Sequence, residues 1–361
     1  DVTNFLQQDH QKYEIIILDL CMPHVDGIEL IRDLAKTNCQ SSLILMSGQD
    51  RSVLKSAQSL CNEYNLKCLE TFTKPINTKK LKKVINDFER DSSPLNGCAG
   101  EPWLPNKNDL EQALENKDLI LHFQPQVNMK TGGVDSVEAL VRWQHSVYGL
   151  IYPDHFIDLA EKENLIEELT EQVIEMAIAT SQDWVLHGLH LKMSVNVSAK
   201  NISSLSLPEY LSHLLVSNRL ETSLITLEVT ESQLMGELAT SLDILTRLRL
   251  KGFLLSIDDF GTGYSSLSLL HKIPFSELKI DKSFVMNMTT DKDALAIVET
   301  CAMLSHKLGM MCVAEGVESK EHLSLLENMG GDVAQGYYIA RPMPAEQMVS
   351  WIGSQGELKH G

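Results

Sequence analysis

The chain is 361 residues long, 43% apolar and 22% charged, with a formal net charge of −18. That length favours two domains over one, and the acidity excludes a general binder of nucleic-acid backbone, which needs basic surface to neutralise phosphate. No apolar run is long enough to cross a bilayer and the start lacks a signal-peptide pattern, so no membrane association is expected. The seven cysteines, at 21, 39, 61, 68, 98, 301 and 312, include no CxxC and no zinc-like spacing. Such a scattered set reads as free thiols of a reducing compartment, and a cytoplasmic location is expected.

The first elements alternate. Tyr13–Leu20 reads as a strand, Gly27–Lys36 as an amphipathic helix, Ser42–Met46 as a strand, Val53–Tyr64 as a helix, Lys67–Thr71 as a short strand and Thr78–Arg90 as a helix. This order predicts a parallel sheet covered by helices. Asp19 ends the first apolar strand, Ser47 the second, and Lys74-Pro75 follows the third. Ligands of doubly wound sheets bind at the carboxyl ends of strands. There an acid, a hydroxyl and a cation suit acceptance of a phosphoryl group, with Asp19 as nucleophile and Ser47 and Lys74 as donors to the new phosphate oxygens.

With DLCMPHVDG at 19–27, MSG at 46–48 and KP at 74–75, residues 1–90 resemble a response-regulator receiver domain. The resemblance implies a flavodoxin-like fold and phosphorylation of Asp19 by a sensor histidine kinase or a small phosphodonor. Nothing before Tyr13 supplies the strand ending in paired acids with which such domains open, so the first strand and helix are expected to be missing. The family's switch aromatic would fall at Thr71, with Phe72 beside it.

Residues 91–105 carry three prolines and two glycines without periodicity and read as a linker, with Trp103 and Leu104 expected to dock on a domain face. Beyond it, over 106–355, helices and strands alternate again. After helix Lys107–Glu115 come strands 120–127 and 136–142, a long helix 161–187, strand 191–197, helix 209–217, strand 225–229, helix 237–250 and strand 253–258. A short helix 266–271, strand 277–280, helix 292–308, strand 310–314, helix 320–329 and strand 333–337 follow. Seven or eight strands separated by helices fit a closed (β/α)8 barrel better than an open sheet. Val137, Val195, Val197, Leu227, Val229, Ile257, Ile280 and Val313 are its expected core.

Polar residues recur where these strands end: Glu138, Asn196, Glu228, Asp258-Asp259, Lys279, Glu315 and Gln335. A barrel assembles an active site at its mouth in this way, from parts distant in sequence. So many carboxylates in one place repel unless cations hold them, which points to metal-dependent chemistry. Asn196 would be poorly satisfied as a core residue, since a buried Asn needs several partners, and its amide oxygen suits a neutral metal ligand. Asp281 is a possible partner for Lys279, and Glu231, one turn beyond Glu228, is placed to hold a loop. Gly261 and Gly263 permit a tight turn after the paired acid, with Ser265 and Ser266 as caps for the helix beyond.

The motifs FQPQ (123–126), EALVR (138–142), SVNVS (194–198), EVTES (228–232), DDFGTGYSS (258–266), LKID (278–281), AEGVE (314–318), AQGY (334–337) and RPMP (341–344) make the second part similar to EAL-type cyclic-di-GMP phosphodiesterases. The resemblance implies a modified TIM barrel with an antiparallel first strand. It also implies hydrolysis of cyclic di-GMP to linear pGpG using Mg²⁺ or Mn²⁺, two per barrel, with Ca²⁺ inhibitory. Carried onto this sequence, Glu138, Asn196, Glu228 and Asp258 would hold one metal, and Asp258, Asp259 and Glu315 the second. Lys279 would position water or phosphate, Gln335 would support the nucleophile, and Gln124 and Arg142 would contact the dinucleotide. Glu315 is open between ligand and proton acceptor. Glu231 would anchor the loop 260–266, which couples dimerisation to metal binding, and a homodimer or higher oligomer is expected. The alternative is a catalytically inactive cyclic-di-GMP sensor acting through protein contacts. With no helix-turn-helix, basic helix or zinc site, direct DNA binding is not expected.

Overall fold

In the computed structural model, residues 13–22, 25–37, 39, 41–48, 51–64, 66–91, 103–235, 238–262 and 267–358 are described. The chain divides into two units, Asp1–Trp103 and Leu104–Gly361. Most of the expected linker, 92–102, lies outside the described residues. At its end Trp103 is partly covered, but Leu104 is 69% exposed, so only one of the two apolar residues expected to dock is shielded.

The first unit runs β1 (Ile15–Asp19), α1 (Gly27–Lys36), β2 (Ser42–Ser47), α2 (Arg51–Glu63), β3 (Cys68–Thr73) and α3 (Thr78–Asp91). The three strands are parallel in the order β1-β2-β3. In β2, SLILMS, every residue except Met46 is buried, as a strand covered on both faces requires. Asp26 caps α1 by accepting from the Ile28 amide at 2.7 Å, and the helix turns Leu30, Ile31 and Leu34 inward. These meet Leu18, Leu43, Leu45, Leu54 and Ala57 in one core. Each such leucine or isoleucine side chain contributes about 1.5–3 kcal/mol on burial.

The second unit opens with α4 (Lys107–Asn116), whose capping box pairs Asn106 with Asp109. There follow β4 (Leu119–Asn128), β5 (Val134–His145), β6 (Gly149–Ile151), α5 (Ile166–Leu186), β7 (Lys192–Asn196), α6 (Leu207–Ser217), β8 (Ile225–Thr230) and α7 (Leu238–Leu250). The chain continues through β9 (Leu254–Phe260), β10 (Glu277–Ile280), α8 (Lys292–Lys307), β11 (Met311–Ala314), α9 (Lys320–Asn328), β12 (Val333–Ala334) and α10 (Ala345–Leu358). The sheet order is β4-β12-β11-β10-β9-β8-β7-β5-β6, and β4 also pairs with β5, closing an eight-stranded barrel from which β6 extends. β4 is antiparallel to both its neighbours, whereas β5 and β7 to β12 run parallel.

Three local readings are corrected. The long helix expected over 161–187 is two, Ile157–Lys162 and α5. Between them Asn164 takes φ 62°, a left-handed conformation that Asn tolerates, and the Leu165 amide returns to the Ala160 carbonyl at 2.8 Å. The last strand stops at Ala334 rather than 337, because Gly336 sits where a Cβ would lie 2.2 Å from the Val317 carbonyl oxygen. The terminal helix α10 has no counterpart in the sequence reading. All eight expected core residues are at most 2% exposed. Several alternate along their strands with the polar set, so they face the surrounding helices while the polar set faces inward.

Candidate active site

Lys279 lies at the centre of the barrel mouth and is wholly buried. Its Nζ is 2.7 Å from Glu315 Oε1, 3.0 Å from Glu228 Oε2, and 3.5 Å from both Glu138 Oε2 and Asp258 Oδ1. Burial alone would push the ammonium down, but these four carboxylates outweigh it and hold Lys279 well above its usual range. The same cation treats its neighbours unequally. Burial also raises Glu138, yet Lys279 and hydrogen bonds from Gln335 and Asn196 bring its carboxyl below the ordinary value. Burial together with the other acids pushes Glu228 well up despite Lys279, and Glu315 to about 8. Asp259 is pushed up to about 6 by burial and by Asp258.

Asp258 and Asp259 are consecutive, and in a regular strand they would point to opposite faces. The register between β9 and β10 shifts between Ile257 and Phe260, and Asp259 has φ 52°. This bulge brings both carboxylates to the same side, where ligand oxygens of Asp258, Asp259 and Glu315 lie within 4.8 Å of one another. Glu315 is held by Gly316, whose φ is 69° and where a Cβ would lie 2.7 Å from Lys282 Cβ. Asp281 does not form the suggested pair with Lys279; its carboxylate instead caps the helix Lys282–Asn287 through the Ser283 amide.

Asn196 is exposed at the mouth, where β7 ends on it. Its amide donates to Glu138 Oε1 at 3.1 Å and Glu228 Oε2 at 3.3 Å. Gln335 donates to Glu138 Oε2 at 2.5 Å and to Gln124 Oε1 at 3.1 Å, and accepts from Gln126 Nε2 at 2.9 Å. Gln124 in turn donates to the Ala340 carbonyl. Gln126 was not singled out from the sequence, although its place two residues after Gln124 on β4 puts both on one face. A second missed feature is the layer beneath the site, where Ser194, Thr226 and Ser256 are buried two residues before Asn196, Glu228 and Asp258.

Arg142 is 6% exposed, and its guanidinium lies 5.2 Å from the Tyr152 ring and donates to the Val141 carbonyl at 2.6 Å. Beside Asn196 a cavity of about 240 Å³ is lined by Leu140, Ile157, Leu169, Val173 and Gln233 among others. Glu231 is 3% exposed just beyond β8. Residues 263–266 of the loop it was expected to anchor, with Ser265 and Ser266, lie outside the described residues.

The mouth fits hard divalent cations on two counts. The donor set is all oxygen, which suits Mg²⁺, Mn²⁺ or Ca²⁺. In addition, Glu228 Oε1 is buried without a protein hydrogen-bond partner, an acceptor that a cation satisfies.

In the first unit Asp19, Ser47 and Lys74 also meet at the strand ends. Lys74 Nζ hydrogen-bonds the Asp19 carboxylate, the Cys21 amide donates to Asp19 Oδ1 at 3.1 Å, and Ser47 is buried with its Oγ 3.5 Å from Cys21 Sγ. Slight burial acts to raise Asp19, but Lys74 and the Cys21 amide hold its carboxyl below the usual range. Phe72 packs inward at 4% exposure, with Lys80 over its ring, whereas Thr71 is only partly covered.

A closed α/β barrel with an acidic mouth, preceded by a parallel-sheet unit with an acid, a hydroxyl and a lysine at its strand ends, defines a two-part signalling architecture. Residues 107–342 match the EAL domain and residues 2–86 the response regulator receiver domain. The chain belongs to the EAL-domain family, in the branch that carries a receiver domain in front. It is 32% identical over 338 residues to the cyclic di-GMP phosphodiesterase RocR of Pseudomonas aeruginosa, covering 94% of this chain and 86% of RocR. It is 43% identical over 247 residues to MucR of the same organism, a bifunctional diguanylate cyclase/cyclic di-GMP phosphodiesterase of which it spans 36%. The solved phosphodiesterase part of MucR in complex with c-di-GMP superimposes with a TM-score of 0.64, over 67% of this chain and 98% of that one. No helix among the described residues is long and apolar enough to cross a membrane.

Proposed function

We propose that the barrel hydrolyses cyclic di-GMP to linear pGpG in a metal-dependent reaction, and that phosphorylation of Asp19 by a histidine kinase regulates it. The observation that carries this reading is the convergence of Asp258, Asp259 and Glu315 beside a buried lysine already shared by four carboxylates. Glu138, Asn196, Glu228 and Asp258 would hold one Mg²⁺ or Mn²⁺, and Asp258, Asp259 and Glu315 the other. Bound there, the pair supplies Lewis-acid stabilisation of phosphoryl charge and lowers the cost of deprotonating water.

The chain's own groups do the rest. Arg142 and Gln124 orient the dinucleotide, and the cavity beside Asn196 is suited to shielding a base from water. The Lys279 ammonium, freed from part of its carboxylate shell, faces the phosphate or the attacking water. Glu315 Oε1, 2.7 Å from Lys279 Nζ, is placed to take a proton from that water. Gln335, held between Gln124, Gln126 and Glu138, keeps Glu138 in place. Water adds to phosphorus and the bond to the 3′ oxygen breaks, leaving a 5′-phosphate and a 3′-hydroxyl in the linear product.

The test is product analysis after incubation of the full chain with cyclic di-GMP and Mg²⁺ or Mn²⁺, with EDTA and Ca²⁺ controls. Metal-dependent pGpG is the expected result. Tight nucleotide binding without product would instead make the barrel a sensor, acting through a partner or a second copy of the chain.

A further inference from the structure

One acid inside the barrel takes no part in the site described above. Glu277 opens β10 and stands two residues before Lys279, so both side chains point into the barrel. It pairs in register with Ser256 of β9, which in turn stands two residues before Asp258. Ser256 is wholly buried, and neither its Oγ nor Glu277 Oε1 has a hydrogen-bond partner in the protein. Burial raises the Glu277 carboxyl; Lys279 opposes this most, ahead of the nearby Ser256 hydroxyl and of Lys192, which is exposed at the start of β7. An enclosed carboxylate oxygen without a partner costs stability. Asp281, two residues beyond Lys279, shows the ordinary alternative, because its carboxylate is satisfied by the Ser283 amide.

The charge around Lys279 gives the unpartnered oxygen a use. Lys279 Nζ lies within 3.5 Å of Glu138, Glu228, Asp258 and Glu315. All four are residues that would hold the divalent cations, and a carboxylate committed to a cation no longer balances an ammonium. Glu277 shares the inward face of β10 with Lys279 and is not one of those ligands. Building on the metal-dependent reading of the barrel, we propose that Glu277 is a positioning residue: from beneath the mouth it becomes the counter-charge of Lys279 once the four carboxylates above are drawn to cations. It thereby keeps the ammonium seated to meet the phosphate or the water. Removing its charge would have opposite effects in the two states. The cation-free barrel loses an unpartnered acid, whereas the loaded barrel is left with an ammonium that nothing below offsets.

The test compares the full chain with E277Q, which keeps the shape and removes the charge, and with E277D, which keeps the charge. Scanning calorimetry in EDTA gives the melting temperature, and titration calorimetry gives the affinity for Mg²⁺ and Mn²⁺. E277Q should melt no lower than the parent in EDTA, while its cation affinity falls by about 10–100-fold, the range for groups that act on a metal site from behind its ligands. At saturating Mg²⁺ its kcat for cyclic di-GMP should fall with little change in KM, and E277D should recover part of both losses. In a K279M background, with no ammonium to hold, adding E277Q should cost little further affinity. Parent-like cation affinity in E277Q, or an equal loss in the K279M background, overturns the proposal and leaves the phosphodiesterase reading standing. A fall in the melting temperature of E277Q in EDTA, or failure of that variant to fold, makes Glu277 a packing residue and overturns the proposal too. A parent chain that binds neither cation and makes no pGpG removes both readings together.

Discussion

Replacing Lys279 by Met tests the electrostatic account of the mouth most directly. Met is unbranched and adaptable enough to fill the volume, but it removes the ammonium that lies within 3.5 Å of Glu138, Glu228, Asp258 and Glu315. Breaking a buried ion pair from one side costs about 3–5 kcal/mol, because the remaining charge is left uncompensated. At about 2–4 °C per kcal/mol for a domain of this size, the melting temperature of the metal-free barrel should fall by about 6–20 °C. The carboxylates can relieve their repulsion by taking up protons, so the deficit should widen as pH rises from 5 to 8. Divalent cations can replace the missing charge, and saturating Mg²⁺ should therefore raise the melting temperature of the variant more than that of the parent. Calorimetry of both proteins in EDTA and in Mg²⁺ measures all of this. A metal-free variant melting within about 2 °C of the parent at pH 8 would refute the view that Lys279 neutralises the mouth.

Other outcomes follow from the same geometry. In the parent without metal, Glu315 is raised from 4.5 to about 8 and Asp259 from 3.8 to about 6. Between those values the folded state binds more protons than the unfolded, so stability should fall as pH rises through this window, and metal should flatten the slope in urea titrations. Glu315→Gln should lower turnover of cyclic di-GMP by about 10²–10⁴-fold if the residue accepts a proton; near-parent turnover would remove it from the chemistry. Gly316→Ala should destabilise the barrel by at least about 1–2 kcal/mol from its left-handed backbone alone, with the contact to Lys282 adding to this, as measured by urea midpoint. Asp19→Asn should abolish incorporation of phosphoryl groups from a small phosphodonor, and label retained elsewhere would argue against Asp19 as acceptor.

What was legible in the sequence was mainly periodicity. The alternation of Val137 with Glu138, Val195 with Asn196 and Ile257 with Asp258 placed apolar residues against helices and polar ones inside, and the structure keeps that parity. Lys279 was conspicuous because a lysine on a barrel strand needs an inward reason. What parity could not reveal was departure from regularity. Asp259 joins its neighbour only through a bulge and a positive φ, which are properties of the β9–β10 register rather than of the dipeptide. The break at Asn164 was hidden because both flanking helices turn apolar residues to the same interior. The exposure of Asn196 depends on where β7 stops, and strand boundaries are set by pairing partners distant in sequence. The glutamine relay was half visible, since Gln124 and Gln335 stood out while Gln126 gained meaning only when β12 was seen beside β4.

The reversed direction of β4 has a topological consequence. Its first residue, Leu119, pairs with Trp143, five positions beyond Glu138 along β5, whereas Val127 pairs with Val134 on the opposite side of Glu138. The chain therefore threads into the barrel from the rim that bears Lys279 and the carboxylates, not from the floor as it would if the opening strand ran with the others. The α4 segment is therefore fastened at the working end, and a tug or twist applied to it would reach Gln124 and Gln126 within a few residues, without first crossing the barrel's packed interior.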